Sequence, residues 1–72
     1  MKVFTIIDKV DHDLLANYLT DDIDSCITIL NEVDNAIVNG EVENCDWQNE
    51  FERRCKKQGV KVEELDTYPV LF

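Results

Sequence analysis

The chain opens on an unbroken apolar run. Val3, Phe4, Thr5, Ile6 and Ile7 are all β-branched or aromatic, and such side chains suit a pleated, half-buried surface. Lys2 to Asp8 therefore reads as a strand, and a run this apolar predicts a central position in a sheet. Residues 9 to 20 fit two patterns. Asp11, His12 and Asp13 can form a turn from which Leu14 to Leu19 returns as a second strand. Alternatively, Asp11 can cap a short helix with Leu14, Leu15, Tyr18 and Leu19 on one face. Propensity alone favours the helix.

The clearest element runs from about Asp22 to Asn39. Ile23, Cys26, Ile27, Leu30, Val33, Ala36 and Ile37 recur at helical spacing, while Asp24, Thr28, Asn31, Asp34 and Asn35 fall on the opposite face. Thr20, Asp21 and Asp22 are N-cap candidates, and acids there complement the helix dipole. Asn39-Gly40 supplies the stop. Glu41 to Asp46 is an acidic connector. Trp47 to Cys55 again fits two templates. As a strand, it lines up Trp47, Asn49, Phe51, Arg53 and Cys55. As a helix, it lines up Trp47, Phe51 and Cys55, with Glu50–Arg54 and Glu52–Lys56 as supporting pairs. Gly59 then turns the chain into a Val60-Lys61-Val62 strand, whether it closes a hairpin or ends a helix. The apolar tail Tyr68-Pro69-Val70-Leu71-Phe72 is expected to pack on the core or on another surface.

With 72 residues, one domain over 1–72 is expected. A core this small is marginal and often gains from a metal, a disulfide or a second copy, so a homodimer fits the size. The three cysteines (Cys26, Cys45 and Cys55) are an odd set, unlike a secreted disulfide scaffold. Cys26 reads as a small core residue, and Cys45 and Cys55 approach each other if residues 47–58 form a hairpin. The N-terminus begins directly on a strand-like run without a signal-peptide pattern, and no apolar stretch approaches membrane-spanning length. A cytoplasmic setting, in a bacterium or a phage-infected host cell, is expected.

Charge changes the picture most. The chain has 16 acids against 7 bases, a net of −9. Lys2 and Lys9 are the only bases among residues 1–52, while Arg53, Arg54, Lys56, Lys57 and Lys61 follow. Such a field repels nucleic acid and anionic membrane and attracts basic surfaces. Strict mimicry of DNA is thin, because nine charges match only about five base pairs of duplex.

Catalytic constellations do not emerge. The single His12 lies between Asp11 and Asp13, and the single Ser25 falls within the helix, so no serine triad assembles. Gly40 and Gly59 are the only glycines, which rules out a phosphate loop. The cysteine spacings lack a paired CxxC, and the Asp8–Asp11–Asp13 run lacks the glycine and glutamate of a calcium loop. No cofactor, metal or catalytic residue is expected.

Residues 12 to 37, from His12-Asp13-Leu14-Leu15-Ala16-Asn17-Tyr18-Leu19-Thr20-Asp21-Asp22-Ile23 to Leu30-Asn31-Glu32-Val33-Asp34-Asn35-Ala36-Ile37, resemble the corresponding stretch of the bacterial YacL family. Trp47 and Asn49-Glu50-Phe51 resemble that family's tryptophan and its acid-aromatic strand, although Gln48 stands where the family tends to have glycine. The resemblance spans roughly residues 12 to 64. It implies two strands, a helix and a hairpin, favours a strand over residues 14–19, and carries no assigned chemistry.

The expected fold is therefore α+β, a small antiparallel sheet packed on one amphipathic helix in a ββαββ-like order. The alternative is βαααβ. One helix over 22–39 corresponds to about a quarter of the chain. The expected function is a protein-binding inhibitor that occupies a basic surface of a nuclease or nucleic-acid-binding complex, such as a phage anti-CRISPR or counter-defence protein. An immunity protein against a toxin nuclease, or a structural interaction module, is the alternative, and an enzyme is not expected. Asp21, Asp22, Asp24, Glu41 and Glu43 are the expected partner-binding residues. Neither direct nucleic-acid contact nor membrane contact is expected.

Overall fold

The computed structural model describes residues 1–65. The chain runs through β1 (Lys2–Ile7), β2 (Leu14–Thr20), α1 (Ile23–Val38), a short 3₁₀ turn (Asn44–Asp46), α2 (Trp47–Lys57) and β3 (Val62–Leu65). The three strands form one antiparallel sheet in the order β1-β2-β3. The class is α+β, as the sequence implies. The apolar tail 68–72 lies outside the described residues.

Residues 14–20 form a strand rather than a helix. Strand alternation explains the choice. It sends Ala16, Tyr18 and Thr20 into the core together, and all three are fully buried. The turn before β2 is tied by Asp8, whose Oδ1 accepts the N–H groups of Val10 (2.7 Å) and Asp11 (2.9 Å). The Asp8 N–H donates to the Asp13 carbonyl and its own carbonyl accepts from His12, which sits at φ 60°.

Among the described residues β1 lies at an edge, not at the centre of the sheet. Only its even-numbered side chains turn inward. Ile6 is buried and Phe4 packs on the core, whereas Val3 and Ile7 remain more than half exposed. The apolar run thus reflects β propensity on both faces rather than burial on both.

Residues 47–57 are helical, so the expected hairpin is replaced by α2 followed by β3. Helix takes 46% of the described residues, against the quarter expected from one helix, because α2 and the 3₁₀ turn add to α1. The strand template would have put Asn49 and Arg53 on the buried face. The helix buries Phe51 and Cys55 and leaves Arg53 exposed. The Glu50–Arg54 pair forms at 2.7 Å. Glu52 does not reach for Lys56; its carboxylate accepts the Tyr18 hydroxyl at 2.7 Å. Gly59 ends the helix at φ 76°, and the strand begins at Val62 rather than Val60.

The core joins Ile6, Ala16, Tyr18, Cys26, Ile29, Val33, Phe51 and Cys55. Phe51 lies between Tyr18 and Phe4, with ring centroids 5.2 and 6.2 Å away. On α1 the buried stripe is Cys26, Ile29, Val33 and Ala36. Ile29 was absent from the expected face, and Ile27, expected inside, is exposed. Cys55 meets Cys26 in the core and not Cys45, which is exposed.

The Tyr18 hydroxyl also accepts from Gln48 Nε2 at 2.9 Å, and the same nitrogen donates to Glu64 at 2.6 Å. This network joins β2, α2 and β3. Burial, with the Glu52 hydrogen bond, raises the Tyr18 phenol above its usual 10.0. Burial pushes the Cys55 thiol up to about 12. Unfolding releases both groups to water, where they ionise earlier, so alkali favours the unfolded chain. Stability should hold below about pH 9 and fall as pH rises toward 12. Tyr18→Phe should flatten that fall and should cost about 1–2 kcal/mol at neutral pH, measured by urea unfolding. His12→Gly should raise stability by about 1 kcal/mol in the same assay, because glycine adopts the left-handed conformation without strain.

Candidate functional site

The five expected partner-binding carboxylates fall at the two ends of α1. At its start, the buried Thr20 hydroxyl accepts the Asp22 N–H at 3.1 Å and fixes the entry of the helix. Asp22 is the N-cap. Its two carboxylate oxygens accept from the Ser25 N–H (3.0 Å) and the Ser25 hydroxyl (2.7 Å). The Ser25 hydroxyl, followed by the Ser25 amide, holds the Asp22 carboxyl below the usual carboxylate range. Asp21 and Asp24 flank it and are exposed.

At the other end, Asn39 caps the helix and Gly40 takes φ 78°. The Glu41 N–H then returns to the Ala36 carbonyl at 2.8 Å. Glu41 and Glu43 leave this turn exposed to solvent. A 16-residue helix is about 24 Å long. The structure therefore gathers Asp21, Asp22 and Asp24 into one group and Glu41 and Glu43 into another, and does not merge the two.

Between the groups runs the solvent face of α1. Ile27 is 46% exposed and Val38 is 85% exposed. They sit about three turns apart and so share a face. Sequence periodicity assigned Ile27 to the core, which hid this feature; the signal was Ile29, whose inclusion rotates the buried stripe away from Ile27.

Both arginines are paired from α2. Arg53 grips Glu50 with two nitrogens, and Arg54 bonds Glu50 at 2.7 Å and Glu32 of α1 at 3.5 Å. The Arg53 and Arg54 guanidiniums lower the Glu50 carboxyl. Lys9 pairs with Asp34 at 3.2 Å. Among the described residues no ion pair reaches Asp21, Asp22, Asp24, Glu41 or Glu43.

One cluster of metal-ligating residue types is not evident from the sequence, because neither cysteine spacing nor a calcium-loop pattern marks it. Glu43, Cys45 and Asp46 bring their ligand atoms within 4.8 Å of one another, all of them exposed. The Cys45 thiol donates to Glu43, and that bond, with the Asp46 charge, raises its pKa. An acidic surround disfavours the thiolate that a soft metal or a nucleophilic reaction would need.

Two concavities are prominent. A groove of about 320 Å³ runs between Ile7, Val10, Leu15, Leu30 and Trp47, with Lys9 and Asp34 at its side. A wider one of about 840 Å³ is bordered by Met1, Arg53, Lys56, Lys61 and Val62. Among the described residues every buried side-chain N or O atom has a hydrogen-bond partner. No helix of the described residues is long and apolar enough to cross a membrane. Comparison of the chain with protein-family models, with curated proteins and with solved structures returns no match.

Within the candidate surface, Asp22 has a structural duty that its neighbours lack. Asp22→Ala should lower the melting temperature by about 5 °C through loss of the cap, whereas Asp22→Asn should preserve it. The depressed Asp22 carboxyl contributes stability above the usual carboxylate range and loses it as pH falls through the folded value. Thermal melts from pH 7 down to pH 2 should show this fall reduced in Asp22→Asn.

Proposed function

We propose that the protein is a small binding module that occupies a basic, nucleic-acid-handling surface of another protein, as a phage anti-CRISPR or other counter-defence inhibitor does. The observation that carries this reading is the distribution of ion pairs. The carboxylates at both ends of α1 are exposed and unpaired among the described residues, while the chain's arginines are spent on Glu50 and Glu32. Exposed, unpaired charges add little to folding, yet they project a long-range field. That field attracts a basic groove and speeds encounter.

The face between the two acidic groups suits the same role. Ile27 and Val38 offer apolar contacts with acids at either end. The reading assigns no catalytic step, no cofactor and no direct contact with nucleic acid.

The test is inhibition of nucleic-acid cleavage by a panel of Cas effector complexes and toxin nucleases. The protein should block at least one of them and should not bind the nucleic acid itself. Which class is blocked separates counter-defence from toxin immunity. Against the sensitive target, the variant Asp21→Asn, Asp22→Asn, Asp24→Asn, Glu41→Gln, Glu43→Gln should associate more slowly by about tenfold or more at low salt, with a flatter salt dependence and a nearly unchanged melting temperature. Equal association rates for parent and variant would reduce the acidic groups to a solubility feature.

A further inference from the structure

We propose that the free edge of β1 pairs with the same edge of a second copy, fusing two sheets into one six-stranded antiparallel sheet about a two-fold axis at Thr5. Among the described residues β1 has a strand on one side only. Its six residues include no proline, and their one charge is Lys2 at the first position, which leaves Val3–Ile7 uncharged. Natural edges are usually blunted by a charge within the strand, a proline or a bulge. Here the only irregularity is on the other side: pairing steps from Ile6–Ala16 to Ile7–Leu14, so the extra residue belongs to β2 and the rim of β1 stays regular.

The backbone of β1 is set to accept a partner. Asp8 turns both its N–H and its carbonyl toward the hairpin loop. Alternation along an antiparallel strand then aims the N–H and carbonyl groups of Val3, Thr5 and Ile7 at the open edge. A two-fold axis perpendicular to the sheet keeps the helices of both copies on one side. With Thr5 on that axis, Val3 faces Ile7 of the partner subunit, and Lys2 faces Asp8 of the partner subunit. Both contacts occur twice.

These pairs match. Val3 is 54% exposed and Ile7 is 53% exposed in the single chain, and each would meet an apolar side chain across the new ladder. Lys2 makes no ion pair among the described residues and would meet a carboxylate. A peptide strand from another protein could use the same edge, but only a second copy supplies the Lys2–Asp8 match at both ends.

Sedimentation equilibrium of the purified protein from micromolar to millimolar concentration tests this. The mass should rise toward twice the 8.4 kDa of one chain. Hydrogen exchange at the Val3, Thr5 and Ile7 amides should slow over the same range, while the Phe4 and Ile6 amides stay unchanged. Thr5→Pro removes the central donor, a change that edge strands tolerate. Lys2→Glu sets an acid against Asp8 and, at an exposed position, keeps the test informative if the proline variant fails to fold. Each should raise the dissociation constant on the order of tenfold, since each contact is lost twice per dimer. A monomer at millimolar concentration, or a dimer that Lys2→Glu leaves unchanged, overturns the proposal. Because the protein is assayed alone, its failure says nothing about binding to a basic partner.

Discussion

Phe51 reaches from α2 to the sheet and lies between Phe4 of β1 and Tyr18 of β2. A sheet of three short strands offers one apolar face, and a chain of 72 residues can cover it only if every large side chain on that face finds a partner. Phe51 meets that demand from the middle of α2. Its position fixes the rest of the helix. Cys55, one turn later, comes against Cys26 of α1, and Glu52, the next residue, comes within reach of the Tyr18 hydroxyl. A buried tyrosine needs such a partner. The same ring that packs on Phe51 thus delivers the polar end that joins α2 to the sheet.

That geometry also explains which parts of the fold were legible in the sequence. The bounds of α1 were readable because Asp22 and Asn39-Gly40 are local signals that act through their own backbone neighbours. Residues 14–20 and 47–58 were ambiguous because both contain apolar residues compatible with two periods. The choice in each case is tertiary. Tyr18 and Phe51 must meet, and they do so with Tyr18 on a strand and Phe51 on a helix. The edge position of β1 was misread because Val3 and Ile7 promote a strand without being buried in it. On α1, Ile27 and Ile29 both suit a helix, and only contact with the sheet and α2 decides which one turns inward.

The candidate surface was legible in its residues but not in its shape. Charge counting located the acids, and it could not show that α1 would hold them about 24 Å apart. Nor could it show that Arg53 and Arg54 would be consumed by Glu50 and Glu32, leaving the ends of α1 without cations. The placement follows from the core. Phe51 packs on the sheet and Cys55 on Cys26 of α1, which brings the neighbouring Arg54 within reach of Glu32.

The charges that tie the elements together are thus largely distinct from those proposed for recognition. The acids with cationic partners lie where α1 meets α2 or the hairpin loop, as Glu50, Glu32 and Asp34 do. Asp21, Asp22, Asp24, Glu41 and Glu43, at the two ends of α1, have no cationic partner among the described residues. Asp22 belongs to both sets, since its carboxylate caps the helix and also adds to the field at that end. An interface built on exposed helix ends can change its charges without disturbing the Phe51 stack. Asp22 has a structural role beside the proposed one, and asparagine can replace it as a cap but not as a charge.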